Sequence, residues 1–529
     1  MAEQPLVNLT IEGRAVQVAS GTSILEAAKT AGILIPHYCY HPGLPVAGVC
    51  RMCLVEVEKF PKLAPACATA VGEGQVVHVH SPKALEARKG VLEFLLINHP
   101  LDCPICDQAG ECELQDYTFQ EGRAESRYRE PKRFNPAEDF GGDVLYVTNR
   151  CILCTRCVRF MDQVAELPVL NVSERGDRAV IGIHPEQDLG LHAWSANVID
   201  LCPVGALVSK DFLNKARAWE LDKTASVCPS CSQGCNSVVE TRDGVIVRMR
   251  PRPNEAVNQY YMCDHGRLNY RWLERRDRVE LPYVREGGEL RPTDWALALR
   301  EAAALLEGRR AFVLASPMLP NEALHLLARL VERTGGTGVF TVTQGDEAPL
   351  PGAEDLALRA DRAANVAGAE LLGFARRERG AVLDGLSADD VLVVADEELA
   401  GLAPVLPSGV RMIVLGTVLP LWAAGAAVVL PTANMAEEEG TFTNLRGRVQ
   451  RYLQAKAAPG LARPSWLAAG DLLAAHGEGQ GFYLASEAFA ALAAAHPRFA
   501  GMSYETLGLR GLSTAADAEP AAAELAGVS

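Results

Sequence analysis

The stretch HPLDCPICDQAGEC (99–112) gathers three thiols, Cys103, Cys106 and Cys112, just behind a histidine. Soft thiolate ligands at this density select zinc or iron–sulfur centres, and such centres normally take four protein ligands. The chain has fifteen cysteines, at 39, 50, 53, 67, 103, 106, 112, 151, 154, 157, 202, 228, 231, 235 and 263. Their odd number, the close C-x2-C pairs and an opening (MAEQPLVNLTIEG) without a charged-then-apolar leader disfavour a disulfide framework.

The cysteines fall into four groups. Cys39-x10-Cys50-x2-Cys53, with Cys67 beyond, offers three thiolates from one loop and one from another. That suits a [2Fe–2S] cluster, although the loop is longer than the plant-type C-x4-C-x2-C and zinc also accepts four cysteines. Cys151-x2-Cys154-x2-Cys157, with a distant Cys202 in LCPVGAL, follows the spacing of a bacterial ferredoxin run and predicts a [4Fe–4S] cube. Cys228-x2-Cys231-x3-Cys235 with Cys263 also fits a cube, with a zinc ribbon as the alternative. Only Cys103, Cys106 and Cys112 then remain. Neutral imidazole replaces thiolate on iron in Rieske centres, and His99 stands immediately before the incomplete set, so His99 is expected to complete a third cube. His37 and His41 flank Cys39, as hydrogen-bond donors or as plain loop residues, and His265 after Cys263 reads as structural. Arg150, Arg156 and Arg159 crowd the third group, where positive charge would favour a reduced cluster; the alternative is that they solvate a helix or face a partner.

These ligands need elements to hold them. VNLTIEG (7–13) and RAVQVAS (14–20) read as a hairpin around Gly-Arg, SILEAAKTAG (23–32) as a helix, and LVEVE and QVVHVH as further strands. A helix over 82–100, capped by Ser81 and stopped by Pro100, delivers the His99 stretch. A polar linker spans 118–143, and TRCVRFMDQVAE (155–166) predicts a helix through the third group. SVVETR and VIVRMR flank Asp243-Gly244, a strong hairpin signal. Beyond residue 290 the pattern becomes strand–helix alternation: RAFVLASP, the helix NEALHLLARLVERTG, then DDVLVVAD and RMIVLGT as buried parallel strands. The tail 460–529 is rich in alanine and glycine and is weakly specified.

CYHPGLPVAGVCRMCLVEV, HPLDCPICDQAGECELQD, RCILCTRCVRF and NVIDLCPVGAL together resemble the large iron–sulfur subunit of respiratory complex I, the family of NADH-quinone oxidoreductase G subunits, over residues 1–215. CDHGRLNYRWLERRDRVELPYVRE and EEEGTFTNLRGRVQR (437–451) are similar to segments of molybdopterin oxidoreductases. The resemblance implies an α+β multidomain fold: a β-grasp [2Fe–2S] ferredoxin-like domain at 1–80, a [4Fe–4S] domain with one histidine and three cysteine ligands at 81–120, a ferredoxin-like [4Fe–4S] domain at 121–220, a small [4Fe–4S] domain at 221–277, and a truncated molybdopterin-oxidoreductase-like α/β domain at 278–529. No cysteine follows Cys263, so no thiolate is available there for molybdenum, and no molybdopterin is expected.

The expected function is an electron relay, without a substrate site of its own, from an NADH/FMN flavoprotein subunit through one [2Fe–2S] and three [4Fe–4S] clusters toward quinone. In the family, the second and third groups lie on the main path and the fourth sits aside. Other peripheral-arm subunits are the expected partners. No G-x-G-x-x-G follows a strand, and a net charge of −15 argues against nucleic acid. The longest apolar stretches fall short of a bilayer span, so membrane association is expected only through the complex, on the cytoplasmic side of a bacterial inner membrane. The competing readings are the iron–sulfur subunit of a soluble NAD-linked hydrogenase or formate dehydrogenase, and a zinc-stapled scaffold without redox function.

Overall fold

The computed structural model describes residues 5–479 and 481–514. The chain forms two compact units. One comprises residues up to Leu221 with Leu350–Asp355; the other comprises Asp222–Pro349 and the chain from Leu356 on.

The first unit opens with strands Leu6–Ile11 and Arg14–Ala19. Their turn is Glu12-Gly13, both at positive φ (49° and 76°), rather than the Gly-Arg step expected from alternation. Both turn residues in the left-handed region match the twist of the flanking strands. A five-stranded mixed sheet results, with Gln75–His78 parallel to the first strand and Leu54–Val57 antiparallel beyond it. Helix Ile24–Thr30, capped by the Ser23 side chain, lays Ile24, Leu25, Ala27 and Ala28 on the sheet core.

Helix Pro82–Leu96 begins at the Ser81 cap as expected but ends four residues before Pro100. His99 therefore lies in the loop beyond the helix rather than at its end. Buried Arg88 of this helix lies 2.6 Å (Nε to Oε2) from Glu121 of helix Glu113–Glu121, and it also donates to the Val79 carbonyl. The helices before His99 and after Cys112 are thereby braced together. In the third group the expected long helix is a single α-turn, Arg156–Arg159, running into a π-turn, Phe160–Val164. The small segment Leu350–Asp355 joins this unit through Gly352, whose N–H donates to the Val164 carbonyl at 2.7 Å.

In the second unit, Asp222–Val227, Asn236–Arg242 and Val245–Pro251 form an antiparallel sheet. Its hairpin turns on Asp243-Gly244, again with two positive φ values (51° and 75°). The larger sheet has eight strands; Val428–Pro431, Arg411–Gly416, Val391–Ala395, Ala311–Ala315, Thr337–Phe340 and Ala375–Arg376 run parallel in that spatial order. The central strands are apolar at every position because helices cover the sheet: Ala311–Ala315 and Val391–Ala395 are wholly buried. Helix Asn321–Thr334 ends on left-handed Gly335. The weakly specified tail folds as helices Ser465–Ala475 and Ala485–Ala495, which bury Trp466, Leu472 and Phe489 in the same core. Residues 515–529 of that tail lie outside the described residues. Among the described residues no helix is long and apolar enough to cross a membrane.

Candidate metal centres

Each cysteine group comes together in space. In the first, Cys39, Cys53 and Cys67 are buried, and the Cys39 N–H donates to Cys50 Sγ at 3.4 Å. Left-handed Gly48 and Arg51 curl the loop so that Cys50 and Cys53 face the same space. Hydrogen bonds from the Cys50 and Cys67 thiols pull the Cys39 thiol far down, while Cys50 and Cys67 are pushed up by that sharing and by burial. Cys39 thus lies within hydrogen-bonding reach of both Cys50 and Cys67.

In the third group Cys151, Cys154, Cys157 and Cys202 line one small cavity with Tyr146, Arg156, Ile181 and Leu207. Leu153 and Thr155, non-glycine residues at φ 53° and 61°, wrap the loop so tightly that its three cysteines share one side. Burial pushes Cys151 and Cys202 up to about 11 and Cys154 up to about 12. Without a cation these thiols stay protonated; a coordinating metal would hold them as thiolates. The cavity between them is small, about 20 Å³.

The fourth group follows the same logic in the second unit. Cys228 and Cys231 leave the strand Asp222–Val227, Cys235 precedes the next strand, and Cys263 caps helix Asp264–Leu268 with the Gly266 N–H on its Sγ at 3.3 Å. The Cys228 N–H closes the loop on the Cys235 carbonyl at 2.7 Å. Gly266 is required by crowding: a Cβ there would stand 2.9 Å from Cys228 Sγ. The loop is held from far along the chain, by Gln450 Nε2 on the Gly234 carbonyl at 2.9 Å and Asn236 Nδ2 on Gln450 Oε1 at 2.7 Å. This gives the NLRGRVQ segment a structural task at the cysteine loop.

In the second group the structure brings His99 beside the three cysteines. His99, Cys103, Cys106 and Cys112 line one cavity of about 630 Å³, together with Asp102, Arg150 and Gly205. At about 30 Å³ per heavy atom, the share of a water in the liquid, the eight atoms of a cube need roughly 240 Å³. The space suffices. Among the described residues, the buried His99 Nδ1 has no hydrogen-bond partner. Burial, aided by Lys132 and Arg150, lowers His99 to about 4, so the ring is neutral at physiological pH and keeps a lone pair. An unpaired buried ring nitrogen costs about 1–3 kcal/mol, which a metal on the lone pair would relieve. The residues present therefore fit an iron–sulfur cube. Among the described residues no three His, Cys, Asp or Glu side chains are placed to hold a metal ion. The corners of a cube stand farther apart than the ligands of a single ion.

Arg150 departs from expectation. It lines this second cavity, with Nη2 3.0 Å from Asp102 Oδ2, rather than crowding the third group. His37 bonds to the Ile35 carbonyl, and His41 accepts from the Gly43 N–H. Gly205 is a site residue that sequence reasoning missed. A Cβ there would fall 2.2 Å from Cys106 Sγ and 3.1 Å from Gln108 Cβ. Gly205→Ala should therefore displace Cys106 and lower iron content by about four atoms per chain, beyond an overpacking cost of about 1–3 kcal/mol. Iron analysis of the purified variant checks this.

A further cavity, about 490 Å³, opens at the carboxyl ends of the parallel strands, lined by Ser316, Thr341, Asp396 and Thr417 where each strand stops. Chain order reverses here, the position where such sheets take ligands. Its lining holds no cysteine and sets three acidic residues, Asp396, Glu397 and Glu398, against three arginines, Arg275, Arg362 and Arg379; Arg275 pairs with Asp277 and Glu398.

Taken together, the fold and its cysteine sets define an iron–sulfur protein whose second half has the molybdopterin-oxidoreductase architecture. Models of known families match along the chain: the 2Fe-2S iron-sulfur cluster binding domain at 4–82, the NADH-ubiquinone oxidoreductase-G iron-sulfur binding region at 88–127, the ferredoxin-like domain of NADH-quinone oxidoreductase subunit 3 at 141–208, the molybdopterin oxidoreductase Fe4S4 domain at 221–274, and molybdopterin oxidoreductase at 411–475. Domains of both [2Fe–2S] and [4Fe–4S] type are thus present.

The chain is similar to the G subunit of NADH-quinone oxidoreductase. It is 40% identical to that of Rickettsia felis over 344 residues, covering 64% of this chain and 51% of the relative. It is also 40% identical to the G subunit numbered 2 of Rhizobium meliloti over 351 residues, covering 65% of this chain and 41% of the relative. The chain spans about half the length of the curated relatives it matches. An NAD+-reducing [NiFe]-hydrogenase structure in the H2-reduced state shares 29% identity over 40% of this chain and 90% of that one, with a TM-score of 0.37, too loose a superposition to bear on function.

Proposed function

We propose that the chain is an electron-relay subunit of an NADH:quinone oxidoreductase of the complex I type, with one [2Fe–2S] cluster, three [4Fe–4S] clusters and no molybdopterin. Cys39, Cys50, Cys53 and Cys67 hold the two-iron cluster. The cubes are held by His99, Cys103, Cys106 and Cys112; by Cys151, Cys154, Cys157 and Cys202; and by Cys228, Cys231, Cys235 and Cys263. The clusters supply one-electron chemistry, while the chain supplies ligands, excludes water and sets the surrounding charge. The domain limits that follow from these sets are 1–80, 81–120, 121–220, 221–277 and 278–529.

The observation that carries this reading is the common cavity of His99, Cys103, Cys106 and Cys112, inside a region similar to the oxidoreductase-G iron–sulfur binding family. Electrons enter from a separate NADH/FMN flavoprotein and leave toward a subunit that serves quinone. Exposed Leu101 and Ile105 flank exposed Cys103, and exposed Phe119 and Trp219 line the cavity, which supports a protein partner covering this face. The chain is then peripheral, on the cytoplasmic side of a bacterial inner membrane.

Affinity purification of the tagged full chain from its native membranes tests the assignment. NADH:quinone reductase activity should co-purify, and the chain alone should not oxidise NADH. Recovery of hydrogenase or formate dehydrogenase activity without quinone reduction would replace this reading.

A further inference from the structure

One side chain of the first unit touches the margins of three cysteine sets. Arg156 is nearly buried and forms part of the wall of the Cys151/Cys154/Cys157/Cys202 cavity. Left-handed Thr155 turns the chain immediately before it and aims the side chain inward. Its Nη2 donates to the Tyr40 carbonyl at 2.7 Å, next to Cys39. Its Nη1 donates to the Leu201 carbonyl at 3.3 Å, next to Cys202, and to Glu113 Oε1 at 3.3 Å, next to Cys112. Arg159, one turn on, reinforces the same junction by donating to the carbonyls of Cys39 and Pro45.

We propose that Arg156 is a shared positioning residue, which ties the backbones beside the first, second and third metal sites and sets their potentials together. The inference rests on reading those cysteine sets as cluster sites. Each cluster gains one negative charge when it takes one electron from a reductant. A fixed positive charge in a low-dielectric interior stabilises that charge at every site within its reach. The planar guanidinium donates in several directions at once; a lysine would give up part of that hydrogen bonding but keep the fixed charge that acts on the potentials. Glu113 works against it: its carboxylate sits on the same guanidinium and lowers the net positive field.

A redox titration of the purified full chain with dithionite, followed by electron paramagnetic resonance, tests this. In Arg156→Gln the midpoint potentials of at least two of the three clusters should move together to more negative values. In Glu113→Gln they should move together the opposite way, and in Arg156→Lys they should stay near those of the parent. Movement of one cluster alone, or shifts of the same sign in Arg156→Gln and Glu113→Gln, would overturn the proposal. Should Arg156→Gln fail to assemble, the other two variants decide it: Glu113→Gln without a concerted upward shift, or Arg156→Lys with a large downward one, counts against it. A parent protein without cluster signals would instead remove the cluster reading beneath it.

Discussion

Exchanging His99 for cysteine should leave its iron in place and shift that cluster's potential to a more negative value, while His99→Leu should lose the cluster and about four irons per chain. The difference follows from charge and from the number of ligands. A neutral imidazole contributes no charge, so the cluster it binds carries one negative charge fewer than its four-thiolate counterpart and accepts an electron more readily. Cysteine restores a fourth ligand and adds the missing negative charge. Leucine offers no lone pair, in a cavity of about 630 Å³ that Cys103, Cys106 and Cys112 alone would have to serve. Iron content with paramagnetic resonance of both variants separates the cases. An unchanged potential and spectrum in His99→Cys would mean that His99 is not a ligand.

The second large effect is expected at Cys157. It is fully buried, and burial raises its thiol well above the ordinary range, reinforced by the neighbouring Cys154, Cys151 and Cys202. Most of the remaining wall, Ile152, Ile181, Val204, Ala206 and Leu207, is apolar and offers iron no replacement ligand. Cys157→Ala should therefore remove one entire cube, lowering iron from about 14 to about 10 atoms per chain. Electron transfer through this subunit should fall to background. Retention of all the iron with unchanged signals would show that Cys157 is not a ligand.

Much of this was written locally. Close cysteine spacings encode sites by themselves, because a curved loop of a few residues can present three sulfurs to one centre. Asp243-Gly244 encodes its hairpin because both residues tolerate positive φ. The helix Asn321–Thr334 declares itself through apolar periodicity and Gly335. What could not be read depends on distant partners. The helix before His99 ends at Leu96, not at Pro100, and Arg150 turns to Asp102, forty-eight residues earlier. Arg156 finds the Tyr40 carbonyl across 116 residues, and Gln450 finds the Gly234 carbonyl across 216. Nothing in the local sequence around Gly205 signals the approach of Cys106 Sγ and Gln108 Cβ that leaves no room for a side chain there. The long helix expected through the third group failed for a local reason missed on reading. Thr155 in the left-handed region starts it late, and the π-turn at Phe160–Val164 ends its regular geometry.

The metal count tests all four cysteine sets at once. Chemical analysis of anaerobically purified full-length chain should give about 14 irons, matched by a similar amount of acid-labile sulfide, and negligible zinc and molybdenum. Zinc in place of iron, with no sulfide and no paramagnetic signal after dithionite, would contradict it.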